Sequence, residues 1–251
     1  MEFPNLFFEF LYNMLIVLIT YGYIFATILI PVQLKKKGKL TKFQARKFVH
    51  LFAGLSVLST PFFTWPWLAI IIAGSLTVLT YLSSRKSRVK RLKELYESIG
   101  EEAEEKKGRL EGPFHYCLSI TILISIFVFV APNQLYFPIA GILLMIISDT
   151  LASLVGKKYG KIKIELSWTK TVRTLEGSLV FLGSGFLLCF FAFLVFSIVD
   201  TQIILSIEQV LLYSLITSSI ATIVELLSPS TWDDFTVPIV STLIIYLLTL
   251  I

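Results

Sequence analysis

Long apolar stretches alternate along this chain with short charged ones. Apolar runs carrying at most two acids cover residues 11–34, 48–82, 113–131, 135–155, 175–199, 203–227 and 235–251. Segments of about 17 to 25 apolar residues suit a helix that crosses the hydrocarbon core of a bilayer. In that medium each backbone N–H and C=O must be paired within its own segment, and runs this long exceed the strands of a barrel. The run at 48–82 has 35 residues with Pro61 and Pro66 near its middle, which predicts two short helices joined at the Phe63–Trp67 stretch. The pattern therefore predicts an all-α polytopic membrane bundle of about eight transmembrane helices. It reads as one membrane domain over residues 1–251, with a charged loop at 83–112 and a second polar loop at 156–174.

The basic residues give the bundle a direction. The segments 35–47, 83–112 and 156–174 hold seven, nine and six Lys or Arg, which is the whole complement of 22. Basic residues near helix ends mark the cytoplasmic side. If 48–82 crosses twice, all three segments share that side; a single crossing would split the first two. The net charge of +5 is then a property of three loops, suited to anionic head groups or phosphates, and nothing points to nucleic acid. Composition agrees: 55% of residues are hydrophobic and the mean hydropathy is +0.80. No basic residue precedes Lys35, so the first run is expected to remain as a span rather than act as a cleaved leader. Cys117 and Cys189 lie in apolar stretches and read as packing residues. In the 83–112 loop, Leu92, Leu95, Tyr96 and Ile99 recur at helical spacing, which predicts either an interfacial helix or a solvated connector with a short helix.

Ionisable residues in or beside spans are costly and are functional candidates by default. Glu9 and Asp200 fall on the outer side without obvious partners and read as interfacial. His50, Asp149, Glu176, Glu225, Asp233 and Asp234 all fall at the inner edge, on the side of the basic loops. Acids from several helices, at one depth and close to Lys and Arg, describe a site for a magnesium-bound polyphosphate. The competing reading is that these acids cap helices or pair with neighbouring cations.

Residues 149–164 are the most informative. Asp149, Ala152, Ser153, Gly156 and Gly160 fall on one helix face, and Lys157, Lys158, Lys161 and Lys163 follow closely. A small-residue face also suits plain helix packing. Beyond it, Lys170, Arg173 and Glu176 recur at intervals of three before Gly177, near a helix N-terminus whose free N–H groups suit phosphate. Walker loops, nucleophile elbows, zinc-helix motifs and paired-cysteine motifs are absent from the sequence.

At these residues the chain resembles the CTP-dependent polyprenol kinase family, which includes dolichol, phytol and farnesol kinases and a CTP-dependent diacylglycerol kinase. RKFVHLFAGL at 46–55, DTLASLVGKKYGKIKI at 149–164, KTVRTLEGS at 170–178, and Glu225 followed by DDFTVP at 233–238 resemble its four motifs in order. One departure is Asp234, where the family usually has Asn. The middle segments are also similar to phosphatidate cytidylyltransferases, which likewise use CTP; the first and last segments favour the kinases.

The resemblance implies transfer of the γ-phosphoryl group of CTP to a membrane lipid alcohol such as dolichol or phytol, with magnesium as cofactor. It implies Asp149 and Glu176 as magnesium ligands, with Asp233 or Asp234 as a further one. Lys157, Lys158, Lys170 and Arg173, with Gly156, Gly160 and Gly177, would contact nucleotide or phosphates. His50 would hydrogen-bond the alcohol or a phosphate, and Arg46, Lys47 and Glu225 would bind substrate. The alternatives are a cytidylyltransferase making a CDP-activated lipid and an ion-coupled transporter, whose acids should lie nearer the bilayer midplane.

Overall fold

A computed structural model describes residues 5–100, 102–169, 171–200 and 202–250. Ten α-helices, two short 3-10 helices and one small hairpin make up the regular structure of these residues. Among the described residues, five helical stretches are long and apolar enough to cross a membrane: Leu6–Lys36, Glu111–Val130, Pro132–Tyr159, Leu175–Val199 and Ile207–Leu227. The protein is an all-α integral membrane protein. The chain forms two compact units, Met1–Leu135 and Tyr136–Ile251.

In the first unit, α1 (Leu6–Lys36) packs against α2 (Lys42–Gly54), and α3 (Trp67–Leu82) packs against α6 (Glu111–Val130). α2 starts inside the first basic segment because Thr41 and Gln44 form a reciprocal capping box, each side chain accepting from the other's backbone N–H. Arg46 and Lys47 are therefore helical residues. After α2 a 3-10 helix, Leu55–Phe62, runs to a break at 63–66, where the two prolines predicted it. The fully buried Asn13 of α1 secures that break. Its Nδ2 donates to Thr64 Oγ1 at 2.6 Å, and its Oδ1 accepts from the Trp65 N–H at 3.3 Å. A polar side chain from a neighbouring helix thus satisfies backbone that a broken membrane helix exposes.

The 83–112 segment is more than a solvated connector. It contains α4 (Lys90–Ile99) and α5 (Glu102–Lys107), and Leu95, Tyr96 and Ile99 of α4 are buried in a cluster with Val32, Ala45 and Leu110. Burial inside the protein takes the apolar face of α4 that an interfacial helix would give to lipid. α5 ends on Gly108, whose φ of +71° is costly for other residues, and the Gly108 N–H donates to Glu104 O. The Arg85 N–H donates to Gly108 O at 3.0 Å and Ser84 bridges Arg109, so both ends of the segment are tied together.

In the second unit, α7 (Tyr136–Tyr159) and α8 (Leu175–Val199) pack against each other, and α9 (Ile207–Leu227) and α10 (Asp233–Thr249) complete the group. Near Gly156 and Gly177 the two helices approach until backbone meets backbone, while Phe137 and Phe196 pack ring to ring at the other end. A Cβ on Gly156 would lie 2.7 Å from Thr174 Oγ1, and one on Gly177 would lie 3.0 Å from Ala152 O. Close approach of small residues is how helices gain packing energy where lipid offers no hydrophobic drive. Thr174 also caps α8, its Oγ1 accepting from the Gly177 N–H. Further along α8, Gly183 faces open space. Between α7 and α8 lies a hairpin that the sequence did not suggest, β1 (Lys163–Glu165) antiparallel to β2 (Val172–Thr174), with Ile164 opposite Arg173.

Asp200 is not an unpartnered interfacial acid. It lies just beyond α8 and accepts a hydrogen bond from Tyr136 Oη at 2.7 Å, tying the start of α7 to the end of α8. That bond and one from the Gln202 N–H hold the Asp200 carboxyl below its ordinary pKa.

Candidate functional site

Asp149 sits on α7 about 20 Å along the helix from Tyr136. Beyond it the helix continues for nearly three turns, so Gly156, Lys157 and Lys158 belong to α7 rather than to a loop. Asp234 sits in the first turn of α10. A carboxylate oxygen of Asp149 and one of Asp234 lie within 4.8 Å of each other, with Asp234 buried and Asp149 half-buried. Two carboxylates from different helices at that spacing are a suitable donor set for a hard divalent cation, which takes oxygen ligands and keeps several waters.

Arg173 organises the same end of the unit. Its Nε donates to Glu225 Oε1, its Nη2 to Asp233 Oδ2 at 3.0 Å, and its Nη1 to Thr171 Oγ1 at 2.7 Å and to Ser228 O at 3.2 Å. One guanidinium thus joins the hairpin to the end of α9 and the start of α10. Burial disfavours its charge, but the Glu225 and Asp233 carboxylates outweigh that cost and raise its pKa above the ordinary value. Both partners hold it in fork geometry that lysine lacks. The spacing of Lys170, Arg173 and Glu176 suggested a phosphate contact; in the structure the arginine is held by acids of its own unit.

The turn between α9 and α10 is built to hold this arrangement. Thr231 has φ of +66°, a conformation costly for a β-branched residue, immediately before Trp232, Asp233 and Asp234. The Ser230 N–H donates to Thr169 O at 3.2 Å, and the Asp234 N–H to Asp233 Oδ1 at 3.1 Å. A strained threonine in a turn gives no sequence signal, because its type is unremarkable there.

The remaining candidates divide clearly. Glu176 turns to the segment after α7: its Oε1 accepts from the Lys161 N–H at 2.9 Å, and both of its oxygens lie 3.4 Å from the Ile162 nitrogen. Gly156, Gly160 and Gly177 lie against Thr174 and against each other's backbone, so their small size serves helix approach. Lys157 and Lys158 are exposed at the end of α7, with Lys158 Nζ 4.9 Å from the Tyr159 ring. Lys170 lies outside the described residues.

Three candidates belong to the first unit. Arg46 is buried and forms an ion pair with Glu104 at 2.7 Å, while the other Glu104 oxygen accepts from the Gly112 N–H at 2.7 Å. That pair fixes the start of α6. Lys47 and His50 are half-buried on α2. The His50 ring lies 4.6 Å from the Tyr116 ring, and Tyr116 Oη donates to His50 O at 2.9 Å.

No family model matches this sequence, and no solved structure matches it significantly. Over 49 residues, 20% of its length, the chain is 43% identical to a dolichol kinase of Saccharomyces cerevisiae, and that stretch spans 9% of the yeast protein.

Proposed function

We propose that this protein is a membrane lipid-alcohol kinase that transfers the γ-phosphoryl group of CTP to a polyisoprenoid alcohol such as dolichol. The observation that carries the reading is the Asp149–Asp234 carboxylate pair, set where α10 begins and next to the Arg173 clasp. The stretch similar to a dolichol kinase supports it independently. The proposal takes the helices as about eight crossings, with the basic segments and the transfer chemistry on the cytoplasmic side.

Asp149 and Asp234 hold magnesium in this reading, and magnesium supplies charge neutralisation to the transferring phosphate. Phosphoryl transfer depends mostly on positioning and electrostatics, so the protein's own task is to keep a few charges fixed. Arg173 does so by holding Asp233, which precedes Asp234, against the hairpin. Lys157 and Lys158, exposed at the end of α7, offer cations to the polyphosphate. In the overall reaction the alcohol oxygen gains the phosphoryl group, its proton is lost, and CDP leaves.

Purified protein, magnesium, γ-labelled CTP and a panel of lipid alcohols test this. The expected result is label on one class of alcohol with release of CDP. Release of pyrophosphate with a CDP-lipid product would instead identify a cytidylyltransferase, and the absence of turnover with every alcohol would remove the kinase reading.

A further inference from the structure

In the first unit, five basic side chains crowd one short stretch: Arg85, Lys86, Arg88, Lys90 and Arg91, all exposed. Among the described residues none of the five is paired with an acid. The acids of α4 form their ion pairs with other cations, Glu94 with Lys36 at 2.8 Å and, loosely, Glu97 with Lys93 at 3.9 Å. The Lys36 hydrogen bond lowers the pKa of Glu94 against the cost of its burial, and the charges of Lys36, Lys90 and Arg91 add to that effect. The first turn of α4 contains no acid, although negative charge is what a helix N-terminus favours. Among the described residues, then, no ion pair engages any of these five charges, and only Glu94 offsets Lys90 and Arg91 from a distance.

We propose that the Arg85–Arg91 segment binds the head groups of anionic phospholipids in the bilayer that surrounds α3 and α6. Position argues for lipid. α3 ends at Leu82, with Tyr81 and Leu82 59% and 51% exposed, and three residues later stands Arg85. Even fully extended, those residues span only about 10 Å, close to the screening length at physiological salt. The segment cannot swing away, because the Arg85 N–H is bonded to Gly108 O, three residues before α6 begins at Glu111. The α4 face bearing Leu95, Tyr96 and Ile99 is buried in the protein, which leaves the basic residues directed outward. Polybasic stretches beside membrane helices gain about fivefold in association per Lys or Arg near an anionic surface. The inference is independent of the kinase reading.

Hydrogen exchange on the full protein in nanodiscs tests it. One set of discs contains phosphatidylcholine alone and the other phosphatidylcholine mixed with phosphatidylserine. The expected result is slower exchange of backbone amides 86–91 in the anionic discs, an effect that fades with added salt and is lost in the triple variant Arg85→Gln, Lys86→Gln, Arg88→Gln. Unchanged protection at 95–99 shows that the variant keeps α4 docked. If that protection falls, the single variant Arg88→Gln replaces it, with about a fivefold weaker response to phosphatidylserine. Equal exchange in both discs would overturn the proposal. So would slowing by CTP in neutral discs with no effect of phosphatidylserine, which would make the segment a polyphosphate site.

Discussion

Arg173 donates a hydrogen bond to Asp233 at 3.0 Å, and Asp233 is the residue directly before the Asp234 carboxylate that lies close to Asp149. Removing one member of a buried ion pair leaves its partners without compensation. Arg173→Ala should therefore lower stability by about 3 kcal/mol, read as a fall in the thermal midpoint of the purified protein. Arg173→Met combined with Glu225→Gln should recover part of the loss. If Arg173→Ala raised the KM for nucleotide and left the midpoint unchanged, the arginine would be a phosphate contact instead.

The paired acids give the sharpest functional prediction. Asp149→Asn should reduce transfer on the order of a hundredfold with the fold intact by circular dichroism. Asp234→Asn should shift the magnesium concentration needed for half-maximal rate upward. Wild-type magnesium dependence in both variants would remove the pair from the metal site.

Thr231 stores backbone strain, with φ of +66°. Asparagine tolerates that region, so Thr231→Asn should stabilise the protein by about 1 kcal/mol, measured by thermal unfolding. A lower midpoint would mean that the threonine side chain contributes more than its conformation costs.

The approach of α7 and α8 leaves no room at Gly156, where a Cβ would meet Thr174 Oγ1 at 2.7 Å. Gly156→Ala should cost about 1 to 3 kcal/mol. Adding Thr174→Ala removes the collision but also the cap on α8, itself worth about 1 kcal/mol. The double variant should thus be less destabilised than the sum of the singles.

Asp200 supplies a pH dependence. Its folded pKa is depressed by the Tyr136 hydrogen bond, so its contribution to stability is present above the unfolded value, about 3.9, and is lost as pH falls through the lower folded value. Tyr136→Phe should flatten the stability profile in that acid range and leave neutral activity unaltered. An unchanged profile would show that the bond contributes nothing.

The helical character of the chain is legible in its apolar runs, and the break at 63–66 is announced by Pro61 and Pro66. The helix at 90–99 is legible because Leu95, Tyr96 and Ile99 recur at a helix period, although the period does not say that their face is buried against α1 and α2. The hairpin is not legible: strands of three residues, Lys163–Glu165 and Val172–Thr174, are too short to establish an alternation. At the candidate site, residue type and depth singled out Asp149 and Asp234, whose carboxylates lie close together. For Arg173 and Glu176, type alone does not reveal the intramolecular partners that the structure shows. An arginine in a polar loop, or a glutamate at a helix start, does not announce from sequence that Glu225 or the N–H groups of Lys161 and Ile162 will be its partners. Only tertiary structure identifies them.

Two glycines of α8 offer opposite conditions for attaching a reporter. Near its start, Gly177 lies against Ala152 O and Thr174, and any attached group would wedge the helices apart. Six residues later, Gly183 faces open space on the same rigid rod. A cysteine there would carry a spin label or fluorophore without disturbing the packing. With Cys117 and Cys189 both buried, the attachment would be selective, and the label would report on the Asp149 end of the second unit from a fixed position.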